Sequence, residues 1–169
     1  MMLMLLLGGV WSFGAYVVTA RYWFDPTSVW VIDTQKGQSV YMNVERVVKR
    51  DFNGSYTATV RYLSNMAIVC EASGALHYNT KSTLPDPLTL AWWAYGDQRC
   101  HGPNLPEGQF ILKTCWTVHQ PFVVLPEKTV CIDSNPFTIR SDAPQQMQID
   151  GLKYQVETLQ KQITERPSE

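Results

Sequence analysis

Residues 56–62, Tyr-Thr-Ala-Thr-Val-Arg-Tyr, carry the alternation on which the fold assignment of this chain depends. Every second residue is apolar or aromatic, and the residues between them are threonine or arginine. Successive side chains of a β-strand point to opposite faces of a sheet, so this pattern is typical of a strand with one buried face. The predicted buried face consists of Tyr56, Ala58, Val60 and Tyr62.

The same period of two extends over most of the chain on either side of this strand. Short alternating segments are separated by turn-forming residues at intervals of roughly ten residues. No helical period lies between the segments, which indicates a mainly β fold, either an antiparallel sandwich or a barrel, with the sandwich favoured. The further predicted strands are 29–32, 40–44, 67–72, 88–93, 109–119, 129–133 and 137–140.

Glycine and proline set the predicted boundaries of these strands. The pair Asn53-Gly54 favours a tight turn, and Ser73-Gly74 predicts a break between strands. Pro26 would stop a helix, so residues 22–28 are predicted to be a short linker. The sandwich is therefore predicted to be a single domain over residues 29–140.

The N-terminal residues 1–20 contain no ionisable side chain, and the first charge is Arg21. A helix of about 20 apolar residues spans the roughly 30 Å hydrocarbon core of a bilayer. The segment 1–21 is thus predicted to be a single-pass signal-anchor helix, with the domain on the extracytoplasmic side. The alternatives are a signal peptide cleaved after Ala20, which would leave a secreted or periplasmic protein, and a helix buried in the core.

The four cysteines, Cys70, Cys100, Cys115 and Cys131, all lie in the strand-rich region. An even number of cysteines in an exported domain favours disulfide bonds over free thiols. Cys115 and Cys131 both occupy outward-facing positions of their predicted strands, as a cross-strand disulfide on an outer face requires. We therefore predict the pairs Cys115–Cys131 and Cys70–Cys100. The alternative is four free thiols in a reducing compartment.

Metal, cofactor and nucleic-acid sites are not predicted. Cys115 and His119 would lie about 13 Å apart along one strand, too far for both to bind one ion. Cys-x-x-Cys pairs and glycine-rich phosphate-binding loops are lacking. The net charge of −1 provides no attraction for nucleic acid.

Catalytic motifs are also lacking, including the Gly-x-Ser-x-Gly elbow of hydrolases. The acidic residues Asp86, Asp97 and Glu107 are predicted to be solvated loop residues without paired acid–base spacing. We therefore expect a non-enzymatic protein. The alternative is a small secreted hydrolase with its site in the loop 95–108.

The aromatic segment Leu90-Ala-Trp-Trp-Ala-Tyr95 is the best candidate for a binding surface. If the segment is a strand with Leu90 and Trp92 in the core, Trp93 and Tyr95 point outward. Exposed aromatic rings on a rigid sheet can stack on a sugar ring or contact a protein partner. The alternative is that they pack under a neighbouring loop.

The period changes after the sandwich, within residues 141–169. Apolar residues there alternate at spacings of three and four, which predicts a linker followed by a short amphipathic helix. Such a helix is too short to be stable alone, so it would pack on its own domain, on a protein partner or on a second copy as a coiled coil. The apolar seam consists of Ile149, Leu152, Val156, Leu159 and Ile163.

The arrangement resembles small bacterial and bacteriophage-encoded envelope proteins that join an N-terminal membrane segment to an immunoglobulin-like sandwich. The resemblance lies in the apolar leader that runs into residues 21–26, in 29–31, in Gly37 before 40–44, and in the alternating strands. It implies an immunoglobulin-like β-sandwich that acts as an interaction or structural module at a cell envelope. The alternative within this resemblance is a phage lysis or virion component.

Overall fold

The computed structural model describes residues 8–9, 19–119 and 126–141. These residues form a mainly β structure with antiparallel sheets, as the alternation predicts. A short helix, α1 (Leu90–Trp93), and three 3₁₀ turns (Ala20–Tyr22, Gln98–Cys100 and Gly102–Asn104) accompany the strands over residues 19–119 and 126–141, and Gly8 and Gly9 are also helical. The strands are β1 (Phe24–Val31), β2 (Thr34–Gln35), β3 (Met42–Val48), β4 (Phe52–Tyr62), β5 (Ile68–Tyr78), β6 (Gly108–His119), β7 (Lys128–Asp133) and β8 (Phe137–Arg140).

The strands form two sheets. A larger, six-stranded sheet has the order β2-β8-β6-β4-β5, with β7 also paired to β6, and a smaller sheet consists of β1 and β3. The long strand β6 pairs with β8 through its first residues, 108–110, and with β7 through residues 113–118. All pairs are antiparallel except the two-residue pair of β2 with β8, which is parallel.

The two sheets share one hydrophobic core. Every second residue of β6 from Phe110 to Val118 is buried, so one face of the larger sheet points inward. Phe24 of the smaller sheet reaches this face, and its ring centroid lies 4.8 Å from that of Trp116 and 5.6 Å from that of Tyr78. The smaller sheet therefore packs against this face of the larger one.

Strand β1 begins at Phe24, inside the segment 22–28 that the sequence predicts to be a linker. Pro26 does not prevent this because β1 has only β3 as a neighbour, and proline is tolerated on edge strands and at bulges. The pairing of β1 with β3 is irregular between Pro26 and Ser28.

The turns predicted at Asn53-Gly54 and Ser73-Gly74 are wrong, because both pairs lie inside long strands, β4 and β5. At both positions, the absence of a Cβ atom allows a neighbouring group to pack closely against the strand. A Cβ atom on Gly54 would lie 2.5 Å from the carbonyl oxygen of Thr117, and one on Gly74 would lie 2.9 Å from the ring of Tyr56. Glycine within a strand often marks such a close approach.

Within the described residues, no helix has the length and apolar character needed to cross a bilayer. Most of the predicted anchor, 1–20, lies outside the described residues. The predicted C-terminal seam, 149–163, also lies outside them. Ala20 is described: it begins a 3₁₀ turn and is buried in the core.

Candidate ligand-binding cleft

A cleft of about 480 Å³ opens on the inner face of the larger sheet, between β3, β5 and α1. The smaller sheet leaves this part of the face uncovered, so Leu76 remains 52% exposed although its neighbours Gly74 and Tyr78 share the inward-pointing side of β5. The walls of the cleft are mainly aromatic and come from segments that are far apart in the sequence. Such a concave, mostly apolar cavity with a few polar groups is typical of ligand sites.

The floor of the cleft is a rigid group of aromatic rings. Tyr78 stacks on Phe52 with ring centroids 4.6 Å apart, and both contact the ring of Phe24. Burial raises the pKa of Tyr78 to about 12, and burial also raises the pKa of Tyr56. Both phenols are therefore protonated near neutral pH, and they offer hydroxyl groups without charge.

Helix α1 forms the opposite wall, and it corrects the predicted strand 88–93. Thr89 caps the helix, since its side chain accepts a hydrogen bond from the backbone N–H of Trp92 at 3.3 Å. In a helix, positions three apart share a face, so Trp93 joins Leu90 in the core and Trp92 points outward.

The prediction that Trp93 is the exposed tryptophan is therefore wrong. Trp93 is 5% exposed, and its indole N–H donates to the hydroxyl of Thr114 at 3.0 Å. Trp92 is 51% exposed, and both tryptophans line the cleft. Tyr95, which the sequence also places outward, is 79% exposed and lies at the rim. The surface aromatic pair is thus Trp92 and Tyr95.

The segment after Tyr95 is fixed to β5 by a disulfide and by one carboxylate. Cys100 is bonded to Cys70, and both residues are fully buried. The carboxylate of Asp97 accepts hydrogen bonds from the backbone N–H of Glu71 at 3.2 Å and from the Arg99 guanidinium at 2.7 Å. These bonds, chiefly the one from Arg99, lower the pKa of Asp97 to about 2.

Asp97 is thus charged near neutral pH and anchors the loop 95–108 that the sequence nominates as an alternative hydrolase site. The second acidic residue of that loop, Glu107, lies 3.5 Å from Lys36 in a surface ion pair.

Arg46 is the cationic side chain of the cleft. It lies on the inward-pointing side of β3 with Met42 and Val44, and it is half-buried. Its guanidinium carbon lies 5.9 Å from the ring centroids of Phe24 and Tyr78, and burial lowers its pKa from the ordinary value. Among the described residues, none forms a salt bridge with Arg46, and none of those that line the cleft is acidic.

The disulfide pairs are those predicted from strand parity. Cys115 and Cys131 lie directly opposite each other on β6 and β7 and form the second disulfide. This bond lies on the outer face of the larger sheet, where Cys131 is exposed. Because all four sulfurs are bonded, none is available as a thiolate ligand. In the described part of the chain, no group of three or more His, Cys, Asp or Glu residues is placed to hold a metal ion.

The sequence predicts the outward position of Tyr95, whereas Arg46 and the tyrosines of the floor are not among the predicted site residues. A signal for Arg46 was present, because it has the same parity as Met42 and Val44 and therefore points into the core. An arginine on the apolar side of a strand is rare unless it is paired or lines a site. No protein-family model matches the chain, and no curated protein or solved structure shows significant similarity to it.

Proposed function

We propose that this protein is a non-enzymatic interaction module that binds a ligand in the aromatic cleft. The observation that carries the proposal is the pair of exposed rings, Trp92 and Tyr95, at the rim of a cavity whose floor is rigid. Trp and Tyr side chains have only two rotatable side-chain bonds, so they provide a large contact area at a low cost in conformational entropy.

The module acts outside the cytoplasm, tethered to a membrane by residues 1–20. Two disulfides support this location, because such bonds persist in oxidising compartments. The apolar leader supports the tether. The burial of Ala20 supports retention of the leader, since cleavage after Ala20 would remove a residue that packs in the core of the domain.

The finer architecture is an immunoglobulin-like sandwich followed by a C-terminal helix. The packing of the two sheets against each other supports the first part. The apolar seam from Ile149 to Ile163 supports a helix that contacts a protein partner or a second copy of the chain. A phage-encoded envelope protein, including a lysis or virion component, fits this combination.

A pull-down from membranes tests the proposal. The full chain with a C-terminal tag is purified with and without detergent, beside the variants Trp92→Ala and Tyr95→Ala. Trp30→Ala is the matched control, because Trp30 is 59% exposed on the outer side of β1 and does not line the cleft. We expect the captured ligand to be lost from both cleft variants and retained by the control.

Two results would contradict the proposal. The first is equal capture by the wild type and by both cleft variants. The second is hydrolytic turnover that is lost on Asp97→Asn or His101→Ala, which would support the secreted hydrolase with its site in the loop 95–108.

A further inference from the structure

We propose that the cleft binds an acidic saccharide, with the sugar ring on Trp92 and Tyr95 and the carboxylate on the guanidinium of Arg46. This inference rests on the proposed binding function and adds the chemical class of the ligand. It is carried by charge complementarity: a half-buried cation faces a cavity whose described lining contains no acidic side chain.

Among the described arginines, Arg21, Arg99 and Arg140 form salt bridges with carboxylates, whereas Arg46, Arg50 and Arg61 do not. Of these last three, Arg46 is the one that lines the cleft. Arg99 and Arg140 pair with Asp97 and Asp33 at 2.7 and 3.2 Å. Arg46 forms no ion pair or hydrogen bond with a described side chain, although it is more buried than either. Its guanidinium carbon lies near the faces of the Phe24 and Tyr78 rings.

Partial burial without a counterion has a free-energy cost, because a charge that leaves water loses hydration. An anion in the cleft would compensate for the lost hydration by a direct ionic interaction with the guanidinium of Arg46. A guanidinium presents a planar fork of N–H donors that matches a carboxylate with two parallel hydrogen bonds. Tyr78 is not a counterion for Arg46, since its phenol stays protonated near neutral pH.

The rest of the cleft fits a sugar. Its volume of about 480 Å³ lies within the range of roughly 300–1,000 Å³ that is typical of small-molecule sites. Its rim offers flat aromatic faces, on which the C–H side of a pyranose can stack. The hydroxyl groups of Tyr56, Ser82 and Thr83 line the same cavity and can bond sugar hydroxyls.

A glycan array tests the inference with the purified full-length protein in detergent. The array carries uronic and sialic acid glycans, each beside its methyl ester, so that members of a pair differ only in charge. Peptides rich in Asp and Glu are printed as a further class. We expect the free acids to bind at least tenfold more tightly than their esters.

Variants assign the charge preference to one side chain. Arg46→Gln should bring the ratio of acid to ester affinity close to one, whereas Trp92→Ala should weaken both members of a pair and keep the ratio. Arg140→Gln is the matched control, because Arg140 lies outside the cleft and is largely exposed. Circular dichroism checks the fold of Arg46→Gln, and Arg46→Lys serves as a second variant that keeps the charge but loses the planar fork.

Each outcome decides for or against the acidic saccharide. Equal binding of acids and esters would overturn the role of Arg46 while the cleft still binds sugars, so the proposed function would stand. Binding of acidic peptides alone would overturn the saccharide class. Absence of binding to every glycan would overturn this inference, and the membrane pull-down would then decide separately whether the cleft binds another ligand.

Discussion

At the scale of single residues, the adjacent tryptophans Trp92 and Trp93 are expected to have opposite roles. Trp93→Ala should lower the free energy of unfolding by about 3–5 kcal/mol, because it removes a buried ring and the hydrogen bond to Thr114. Trp92→Ala should lower it by less than about 1 kcal/mol, because the ring is half exposed. Urea denaturation monitored by circular dichroism measures both values. Similar losses for the two variants would contradict the helical placement of the pair.

A second residue-scale prediction concerns Gly54, the glycine within β4. Gly54→Ala should destabilise the fold by about 1–3 kcal/mol, because the added methyl group would meet the backbone of β6 at Thr117, which cannot move without disturbing the sheet. Gly96→Ala is the matched control. Its added Cβ atom would have no neighbour nearer than 3.7 Å, and we expect a change within about 0.5 kcal/mol. Thermal unfolding of the two variants compares them directly, and equal stability would disprove the close approach.

Some single-residue features follow from the sequence and others do not. The outward position of Cys115 does follow, because β6 alternates strictly over its whole length and parity assigns every side chain. The buried position of Trp93 does not follow from the sequence, because a segment of four residues, such as Leu90–Trp93, fits a period of two as well as a helical period. The need for Gly54 is also hidden, since the atom that it must avoid belongs to Thr117 on another strand.

At the scale of elements, the turn Gln98–Cys100 is predicted to loosen in acid. The pKa of Asp97 is lowered to about 2 in the fold, chiefly by Arg99, whereas an unfolded aspartate has a pKa of about 3.9. A lowered pKa stabilises the folded state above the unfolded value, and this stability is lost as the pH falls from about 4 towards 2.

Melting temperatures between pH 2 and pH 6 measure this contribution. Asp97→Asn should lower the melting temperature above pH 4 and have little effect near pH 2, so the two curves converge in acid. Arg99→Gln should reproduce part of the effect, because it removes the main cause of the shift. Parallel curves for the wild type and Asp97→Asn would contradict the role of this carboxylate.

The two disulfides, which join different elements, are predicted to differ in their reduction. Thiol–disulfide exchange requires access to a sulfur atom. Cys131 is exposed on β7, whereas Cys70 and Cys100 are fully buried. Mild dithiothreitol should therefore open Cys115–Cys131 first.

Alkylation with iodoacetamide followed by peptide mapping identifies the order. Replacing either pair by serine should cost about 3 kcal/mol through loop entropy, so neither bond is expected to be dispensable. Earlier labelling of Cys70 or Cys100 would show that the segment around α1 opens more readily than its packing indicates.

At the scale of the whole molecule, the cleft shows where sequence reasoning reaches its limit. Its side chains come from β3, β4, β5, β6, α1 and the segments beside them, and no local pattern brings them together. Strand alternation gives the mainly β class and the disulfide pairs because both depend on side-chain parity. The way in which a two-stranded sheet covers only part of a larger one depends on long-range packing, so Arg46 and Tyr78 meet only in the folded structure.

The whole-molecule prediction is that the leader stays attached and that the domain folds outside the cytoplasm. In natively expressing cells the intact mass should include residues 1–20, and the protein should leave the membrane fraction only with detergent. Maleimide added to the unfolded, unreduced protein should label no cysteine, because all four are oxidised.

Each readout isolates one part of this prediction. A mass that corresponds to cleavage after Ala20, with oxidised cysteines, would remove the tether and leave the exported domain and its cleft. Four reactive thiols would place the domain in a reducing compartment and contradict export itself. Replacing residues 1–18 by a cleavable signal peptide, which keeps the buried Ala20, should release an oxidised domain that binds the same ligand. This follows because Trp92, Tyr95 and Arg46 all lie downstream of the replaced segment.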